Sequence, residues 1–241
     1  MTPPSTRTYT ITATSFYSLS GNTYGIDTRT NSYSCVAGVI TTYSLVASTY
    51  FINAIGTYTI TFTTVNNLVS GSMIIITLPN YISIQSGGTC SSSNGLLSCA
   101  VTSTTVATIS ITGSISKLTS ITLTINSIIN PTQALVTSSF NIATYYDTGI
   151  DSLVDSLTTG MTFTSTAKQL TSNVFVVPSS YVTYASSNYI FSVQLTDKII
   201  AGGYITITFP IDITVGTISI VSASFPTTSC TLNVIGNLVK I

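Results

Sequence analysis

Three residue types are missing from this 241-residue chain: histidine, tryptophan and glutamate. Without histidine a Ser-His-Asp triad is excluded, and without histidine and glutamate the commonest general bases of enzymes are lacking. We therefore predict that the chain is not an enzyme and that it binds no cofactor.

Charge is scarce as well, because only 5% of the residues are charged, the net charge is zero and all six acids are aspartates. The six basic residues form no stripe, so no nucleic-acid partner is expected. Soluble domains usually carry roughly 25–35% charge on their surface. Here the 46 threonines and 37 serines are expected either to carry O-linked sugar or to be buried against neighbouring copies. Sheet edges without charged residues also favour assembly.

Long apolar runs are lacking too. Near the centre of the chain the longest is Met73–Ile76, far short of the roughly 20 residues that a membrane helix needs, so no membrane insertion is expected. Residues 1–10 have no apolar core and are not a signal peptide, so a signal for export would lie outside this sequence. Asn130-Pro131-Thr132 is blocked by its proline, and N-glycosylation is not expected.

What is present is a repeat. The segment Tyr58–Pro79 matches Tyr189–Pro210 without gaps at an offset of 131 residues. In both copies apolar residues alternate with threonine, which is typical of a half-buried β-strand. A glycine in the middle of each copy indicates a turn, and the proline ends the second strand. Alternation places Tyr58 and Tyr189 in the core.

The offset divides the chain into three parts. Residues 1–40 are interpreted as the closing strands of a preceding repeat, residues 41–168 as one complete repeat, and residues 169–241 as the start of the next repeat, left unclosed. Within the first part, residues 15–30 are expected to form a polar loop. In the complete repeat, strands are expected near residues 43–47, 57–65, 72–78, 97–102, 105–112, 118–128, 137–146 and 160–165, with residues 150–157 as a loop.

The expected fold class is all-β, with tandem immunoglobulin-like β-sandwich repeats of about 131 residues, one complete and two partial. Two arrangements would supply the missing strands. In the first, the sequence is part of a longer tandem polypeptide. In the second, the N-terminal segment of one subunit completes the sandwich of another as a donor strand. Either implies continuation in one dimension. A self-contained globule, with residues 9–14 paired inside its own subunit and both termini idle in solvent, would contradict the fibre.

Four cysteines are present. Cys90 and Cys99 flank a turn-like segment, and a local disulfide is predicted there, because their spacing is wrong for paired zinc ligands. Cys35 and Cys230 lack a local partner and are hypothesised to pair across the joint between subunits. The alternative is two buried free thiols. An even cysteine count in a β protein of low charge favours an oxidising compartment.

Asp147, Asp151 and Asp155 are the one candidate set of metal ligands, since loop carboxylates can hold Ca²⁺. Calcium loops usually place their acids two residues apart rather than four, so the match is weak. Solvated loop acids are the favoured interpretation, and no metal is predicted.

Several motifs carry a family resemblance: ITFTTVNNLVSGSMIIITLP, the pair TC and SC around residues 89–99, SITLTINSIINP and SSFNIATYYDTG. Together they resemble the Ser/Thr-rich tandem repeats of large surface and secreted proteins of ciliates and other protists, over nearly all of residues 41–241. Val221 departs from the pattern, because it stands where the second copy would need the counterpart of Cys90.

The resemblance implies an extracellular, O-glycosylated structural protein and carries over no catalytic residue. The first functional hypothesis is a subunit of an extracellular fibre whose partners are copies of itself in a linear filament. The alternative is an adhesin or lectin-like binding protein whose repeats form a stalk.

Overall fold

A computed structural model describes residue 6, residues 8–149, 152–170, 175–195, residue 199, and residues 203–217 and 233–241. The described part of the chain is all-β and contains no helix. In that part, therefore, no helix is long and apolar enough to cross a bilayer. The chain divides into two compact units, unit 1 (Met1–Gln169) and unit 2 (Leu170–Ile241).

Unit 1 contains thirteen strands among its described residues. In chain order they are β1 (Thr8–Leu19), β2 (Asn22–Ser34), β3 (Gly38–Val39), β4 (Tyr43–Ala47), β5 (Ile55–Thr63), β6 (Met73–Thr77), β7 (Ser83–Ile84), β8 (Cys90–Ser92), β9 (Leu97–Ser103), β10 (Val106–Ile111), β11 (Ser120–Ile129), β12 (Asn141–Tyr145) and β13 (Leu153–Leu157).

Strands β3 to β13 form two sheets. The first has six strands in the order β3-β13-β12-β6-β10-β9, and the second has the order β4-β5-β11-β7, with β8 also paired to β11. All pairings are antiparallel except that of β3 with β13, which is parallel. The buried side chains of both sheets belong to one apolar cluster. This arrangement is consistent with a β-sandwich.

Alternation along each strand explains why the two sheets meet. In β5 the side chains of Tyr58, Ile60 and Phe62 are fully buried, while the threonines between them are only half-buried. In the other sheet, Ile74 and Ile76 of β6 are also fully buried. Burying a large apolar side chain stabilises the fold by about 1.5–3 kcal/mol. The β-branched and aromatic residues that fill these strands also favour extended backbone.

The end of unit 1 differs from the sequence-based expectation. Residues 150–157 were expected to form a loop, and that is wrong for Leu153–Leu157, which is strand β13 with Val154 and Leu157 buried. Residues 160–165 were expected to form a strand, but here only isolated bridges join Val136 to Thr164 and Phe51 to Thr166. On the side away from β6, the neighbour of β12 is β13, the strand that carries Asp155.

Strands β1 and β2 form a long hairpin, so the expected polar loop at residues 15–30 is wrong. The turn residues Ser20 and Gly21 both have positive φ, 52° and 81°, as primed hairpin turns require. Residues 9–14 pair with β2 of the same chain. The hairpin is nevertheless almost entirely exposed, and Ile11, for example, keeps 60% of its side chain in solvent. Its pairing is internal, but it is not part of the buried core of unit 1.

One face of the hairpin is a ladder of hydroxyl groups. Its hydrogen-bonded pairs are Thr8 with Ser34, Thr10 with Ser32, Thr12 with Thr30 and Thr14 with Thr28, at 2.9–3.3 Å. The opposite face carries Tyr9 stacked on Tyr33, followed by Ile11 and Ala13. The hairpin is thus held together by backbone and hydroxyl hydrogen bonds and keeps apolar side chains exposed.

Unit 2 contains five strands among its described residues: β14 (Phe175–Pro178), β15 (Tyr189–Ser192), β16 (Thr206–Thr208), β17 (Asn233–Ile235) and β18 (Leu238–Lys240). Strands β14 and β15 form a hairpin, and the other three form a sheet in the order β16-β18-β17. Most side chains of these strands are exposed or half-buried, and Val239 is the buried one among those described.

Candidate functional site

Asp155 anchors the closing strand of unit 1. It is fully buried, and its Oδ2 accepts hydrogen bonds from the backbone N–H groups of Val65 (3.1 Å) and Asn66 (3.2 Å). Its Oδ1 accepts a hydrogen bond from Asn66 Nδ2 at 2.7 Å. A buried carboxylate is tolerated when such donors replace its water. Asp155 therefore ties β13 to the loop that follows β5.

Gly38 on β3 makes room for this cluster. A Cβ at that position would lie 2.5 Å from Asp155 Oδ1 and 2.8 Å from Asn66 Nδ2, closer than side chains approach each other. Strand β3 can therefore run parallel to β13 at this point only with a glycine there.

Of the three aspartates considered as weak calcium candidates, the two that the structure describes, Asp147 and Asp155, have separate surroundings. Asp155 is occupied by protein donors. Asp147 Oδ1 accepts hydrogen bonds from Gly149 N at 2.9 Å and Ser152 Oγ at 2.5 Å, which closes the turn between β12 and β13. Asp151 lies outside the described residues. Among the residues that the structure describes, no three acids, cysteines or histidines gather as metal ligands.

Tyr58 and Asn130 form a second buried polar contact. Tyr58 Oη donates to Asn130 Oδ1 at 2.7 Å, and Asn130 Nδ2 donates to the carbonyl oxygens of Thr49 (3.0 Å) and Phe51 (2.8 Å). Burial raises the pKa of Tyr58 well above its ordinary value, and the neighbouring Tyr50 raises it further. The neutral phenol is thus the form that the core accommodates.

Two aromatic rings, those of Phe140 and Phe163, pack against the ring of Tyr58. Its ring lies 5.1 Å from the ring of Phe163 and 6.1 Å from that of Phe140, centre to centre. All three rings are buried. No sequence motif indicates Asn66 or Asn130 as anchors. The available signal is their position after an alternating apolar strand. Asn130 directly follows β11, and Asn66 lies three residues after the end of β5.

A disulfide joins Cys90 to Cys99, the two cysteines for which the spacing favours a local pair. It links β8 of the second sheet to β9 at the edge of the first sheet. Cys35 is a free, half-buried thiol among the described residues. Its hypothesised partner Cys230 lies outside the described residues.

The pairing of β14 with β15 repeats that of β4 with β5. The pairs Phe175↔Ser192, Val176↔Phe191, Val177↔Ile190 and Pro178↔Tyr189 of unit 2 correspond at an offset of 131 to Ser44↔Thr61, Leu45↔Ile60, Val46↔Thr59 and Ala47↔Tyr58 of unit 1. A slip of one residue would turn every side chain to the other face. The shared register therefore gives corresponding side chains the same face in both units.

Hydrogen bonds outside these ladders recur as well. Ser179 N donates to Asn188 O (2.8 Å) in unit 2, as Ser48 N donates to Thr57 O (2.9 Å) in unit 1. Asn188 N donates to Ser179 Oγ (2.9 Å), as Thr57 N donates to Ser48 Oγ (2.9 Å). Ile213 N donates to Pro210 O (3.0 Å), as Ile82 N donates to Pro79 O (3.3 Å). Backbone and side-chain hydrogen bonds thus agree with the strand register.

Strand β16 pairs with β18 as β6 pairs with β10, but at a slightly different offset. Ile207 pairs with Val239, whereas Ile76 pairs with Ala107, so β18 lies 132 residues after its counterpart rather than 131. Unit 2 therefore holds one additional residue between β16 and β18. The alignment of Cys230 with Cys99 falls in this interval, on residues outside those described.

Unit 2 leaves the face exposed that unit 1 buries. Tyr189, the counterpart of Tyr58, is 37% exposed, whereas Tyr58 is 0% exposed. Its ring lies 6.4 Å from that of Phe191 and 6.0 Å from that of Phe209, centre to centre. The expectation of a core tyrosine is thus met by Tyr58 and not by Tyr189. These three rings, which we name the ring cluster, and the edge of β16 are the candidate assembly surface.

No protein-family model matches the chain, and no curated protein sequence is significantly similar to it.

Proposed function

We propose that this protein is a structural subunit of an extracellular fibre that assembles head to tail from tandem immunoglobulin-like repeats. One observation carries the proposal: unit 2 repeats the strand register and hydrogen bonds of unit 1 at nearly constant offset. A chain that copies one β unit and leaves the second copy's apolar face exposed is suited to continue along one axis.

An immunoglobulin-like identity for unit 1 is supported by its strand order. In that fold one sheet contains strands A, B, E and D, and the other contains G, F and C. The order β4-β5-β11-β7 corresponds to A-B-E-D, and β13-β12-β6 corresponds to G-F-C. The parallel first strand β3 beside β13 is a further feature in favour of this assignment.

Exposed hydroxyl groups support the proposal of an O-glycan coat. The hydroxyl ladder of the β1–β2 hairpin is exposed, and so are many of the threonines and serines of the sandwich. With so few charges, hydration of this surface requires another polar group, and covalent sugar on Ser and Thr supplies it. The disulfide between Cys90 and Cys99 supports an extracellular location. All of this fits the protist repeat proteins that the sequence resembles.

A second candidate function, an adhesin or lectin-like module, is favoured by one observation. Tyr181 and Tyr184 lie in the connection between β14 and β15 and are 85% and 105% exposed. Exposed tyrosine rings can stack on the faces of sugars. In this alternative the repeats serve as a stalk and the tyrosine loop binds a glycan.

Electron microscopy of the purified full chain separates the two functions. The fibre proposal expects uniform filaments with a regular axial repeat, whereas the adhesin proposal expects isolated flexible rods. Binding of free oligosaccharides that is lost in a Tyr181→Ala, Tyr184→Ala double variant would favour the second function. Intact mass spectrometry of the native material tests the sugar coat, which predicts hexose-sized steps above the 25.3 kDa of the polypeptide.

A further inference from the structure

Strand β6 has a neighbour on each side, whereas β16 has a described neighbour on one side only. In unit 1, β6 lies between β10 and β12. In unit 2, β16 pairs with β18, and its other edge has no strand among the described residues. An open edge presents unpaired N–H and C=O groups to a further strand. The position beside β16 that no described strand fills is the one that β12 fills beside β6.

Strand β1 is the segment of this chain that resembles β12. At the offset of 131, Ile11 aligns with Ile142, and the sequence around it, YTITAT, aligns with FNIATY. Ile142 is fully buried in the core, whereas Ile11 is 60% exposed. The hairpin thus displays the side chain that a strand at this position would bury.

We propose that β1 of a second copy adds antiparallel to the open edge of β16, with Thr10 opposite Thr208, Ile11 opposite Ile207 and Thr12 opposite Thr206. This register is the one that joins β12 to β6, where Asn141, Ile142 and Ala143 lie opposite Thr77, Ile76 and Ile75. The proposal rests on the proposed function and specifies the joint between subunits of the fibre.

The two faces of the hairpin fit this arrangement. Ile11 and Ala13 align with Ile142 and Thr144, which are buried, so the apolar face of the hairpin turns towards the ring cluster of unit 2. Thr10 and the other hydroxyl groups of the ladder align with positions of β12 that are exposed or half-buried. The hydroxyl ladder therefore remains in water, and the apolar face closes the core.

Charge gives a second, independent argument. Ala13 pairs with Arg29 in the hairpin, as Thr144 pairs with Asp155 in unit 1. The added hairpin therefore brings Arg29 to the position that Asp155 occupies in unit 1. An arginine at this buried position requires an acceptor.

The sequence aligns an acidic residue with the partner of Asp155. Asn66 donates to Asp155 in unit 1, and the residue that aligns with Asn66 is Asp197, which lies outside the described residues. At the level of the sequence, the pair Asp155 and Asn66 thus corresponds to the oppositely charged pair Arg29 and Asp197.

Disulfide trapping between two chains tests the register. In a Cys35→Ser, Cys230→Ser background, one chain carries Thr10→Cys and the other Thr208→Cys, and the two are mixed and mildly oxidised. A control replaces Thr10→Cys by Thr14→Cys, which lies on the same face of the same strand and is displaced by four residues, roughly 13 Å. Because a disulfide needs Cα atoms within about 7 Å, we expect the Thr10–Thr208 heterodimer to exceed the control on the order of tenfold.

The outcomes separate the joint from the fibre. A heterodimer that forms in register, weakens with Arg29→Asp and persists with Arg29→Lys supports the joint, whether or not filaments are seen. Equal yields in register and in the control overturn it. So do filaments without any cross-link, in which case the fibre proposal stands. A further variant carries both Thr10→Cys and Thr208→Cys in one chain. If it cross-links only within itself, the occupant is the same copy and the proposal is overturned too.

Discussion

Units 1 and 2 use corresponding residues in the same register and reach different degrees of closure. Tyr58 is fully buried and Tyr189 is 37% exposed, although each pairs with the same partner position. The difference lies in what covers them, because Phe140 and Phe163 lie over Tyr58. A β-strand whose apolar and polar residues alternate regularly is thus stabilised by segments that are distant in the chain. The comparison teaches that closure, rather than local sequence, separates a fully buried core from a partly exposed face.

The largest effect is expected for Asp155, the anchor of the strand that closes unit 1. Asp155→Ala removes a buried acceptor and leaves the part-buried donors of Val65 and Asn66 without it, so we expect the free energy of unfolding to fall by about 3 kcal/mol. The exposed-turn variant Asp147→Ala serves as the control and should cost less than about 1 kcal/mol. Urea unfolding measures both, and equal losses would contradict the anchoring role of Asp155.

A matched pair of core substitutions compares the two units directly. Ile76→Ala should destabilise unit 1 by about 3 kcal/mol, because it leaves a cavity among fully buried side chains. The corresponding Ile207→Ala should cost the isolated chain less than about 1 kcal/mol, because Ile207 is only half-buried. Hydrogen exchange resolved by unit provides the measurement.

In assembled fibres the cost of Ile207→Ala should approach that of Ile76→Ala, because the added hairpin buries Ile207. A variant that remains mild in the assembled state would argue against closure of unit 2 by a partner.

Reduction of the disulfide should affect unit 1 alone. Cys90 and Cys99 are nine residues apart, and closing so short a loop stabilises a fold by about 2.5 kcal/mol. Reductant should therefore lower the unfolding temperature of unit 1 and leave hydrogen exchange in β14 and β15 unchanged. A Cys90→Ser, Cys99→Ser variant, insensitive to reductant, is the control. An equal response in both units would disprove a purely local clamp.

The smallest effect concerns Tyr58 at alkaline pH. Its pKa in the folded state is raised, so folding favours the neutral phenol. The stabilisation is complete below the pKa of the unfolded chain, about 10, and is lost as the pH rises through the folded pKa, at up to about 1.4 kcal/mol per pH unit. Tyr58→Phe should lack this part of the slope. At neutral pH it should lose about 1 kcal/mol, since Asn130 Oδ1 loses its donor. Chemical unfolding at several pH values checks both.

The strands that alternate cleanly could be predicted from the sequence. Strands β5 and β11 alternate buried apolar residues mainly with threonine, and β6 buries every second residue of an apolar run. All three lie within a few residues of the expected positions. Strand β13 was missed because Asp155 breaks its apolar pattern, and a buried acid cannot be told from a loop acid without its partners. In the hairpin, strands were expected in residues 1–40, but residues 15–30 were expected to be a loop, because their polar residues resemble those of a loop.

The candidate assembly surface could be predicted only in part. The offset of 131 residues marked the segment that resembles Tyr58–Pro79. The exposure of Tyr189 was not predicted. Alternation shows which residues lie on the same face of a strand, but it does not show what packs over that face. The additional residue before β18 was missed for a similar reason, since only the pairing of Ile207 with Val239 reveals it.

The parallel pairing of β3 with β13 has a mechanical consequence. Three residues separate the end of β2 from Gly38, so a pull on the hairpin reaches β3 almost directly. Because β3 runs in the same direction as β13, tension applied at the start of one and the end of the other slides the two past each other. The backbone hydrogen bonds between β3 and β13 and the hydrogen bond between Asn66 and Asp155 must then break together rather than one after another. In a fibre assembled as proposed, each unit 1 would therefore resist stretching through this pairing.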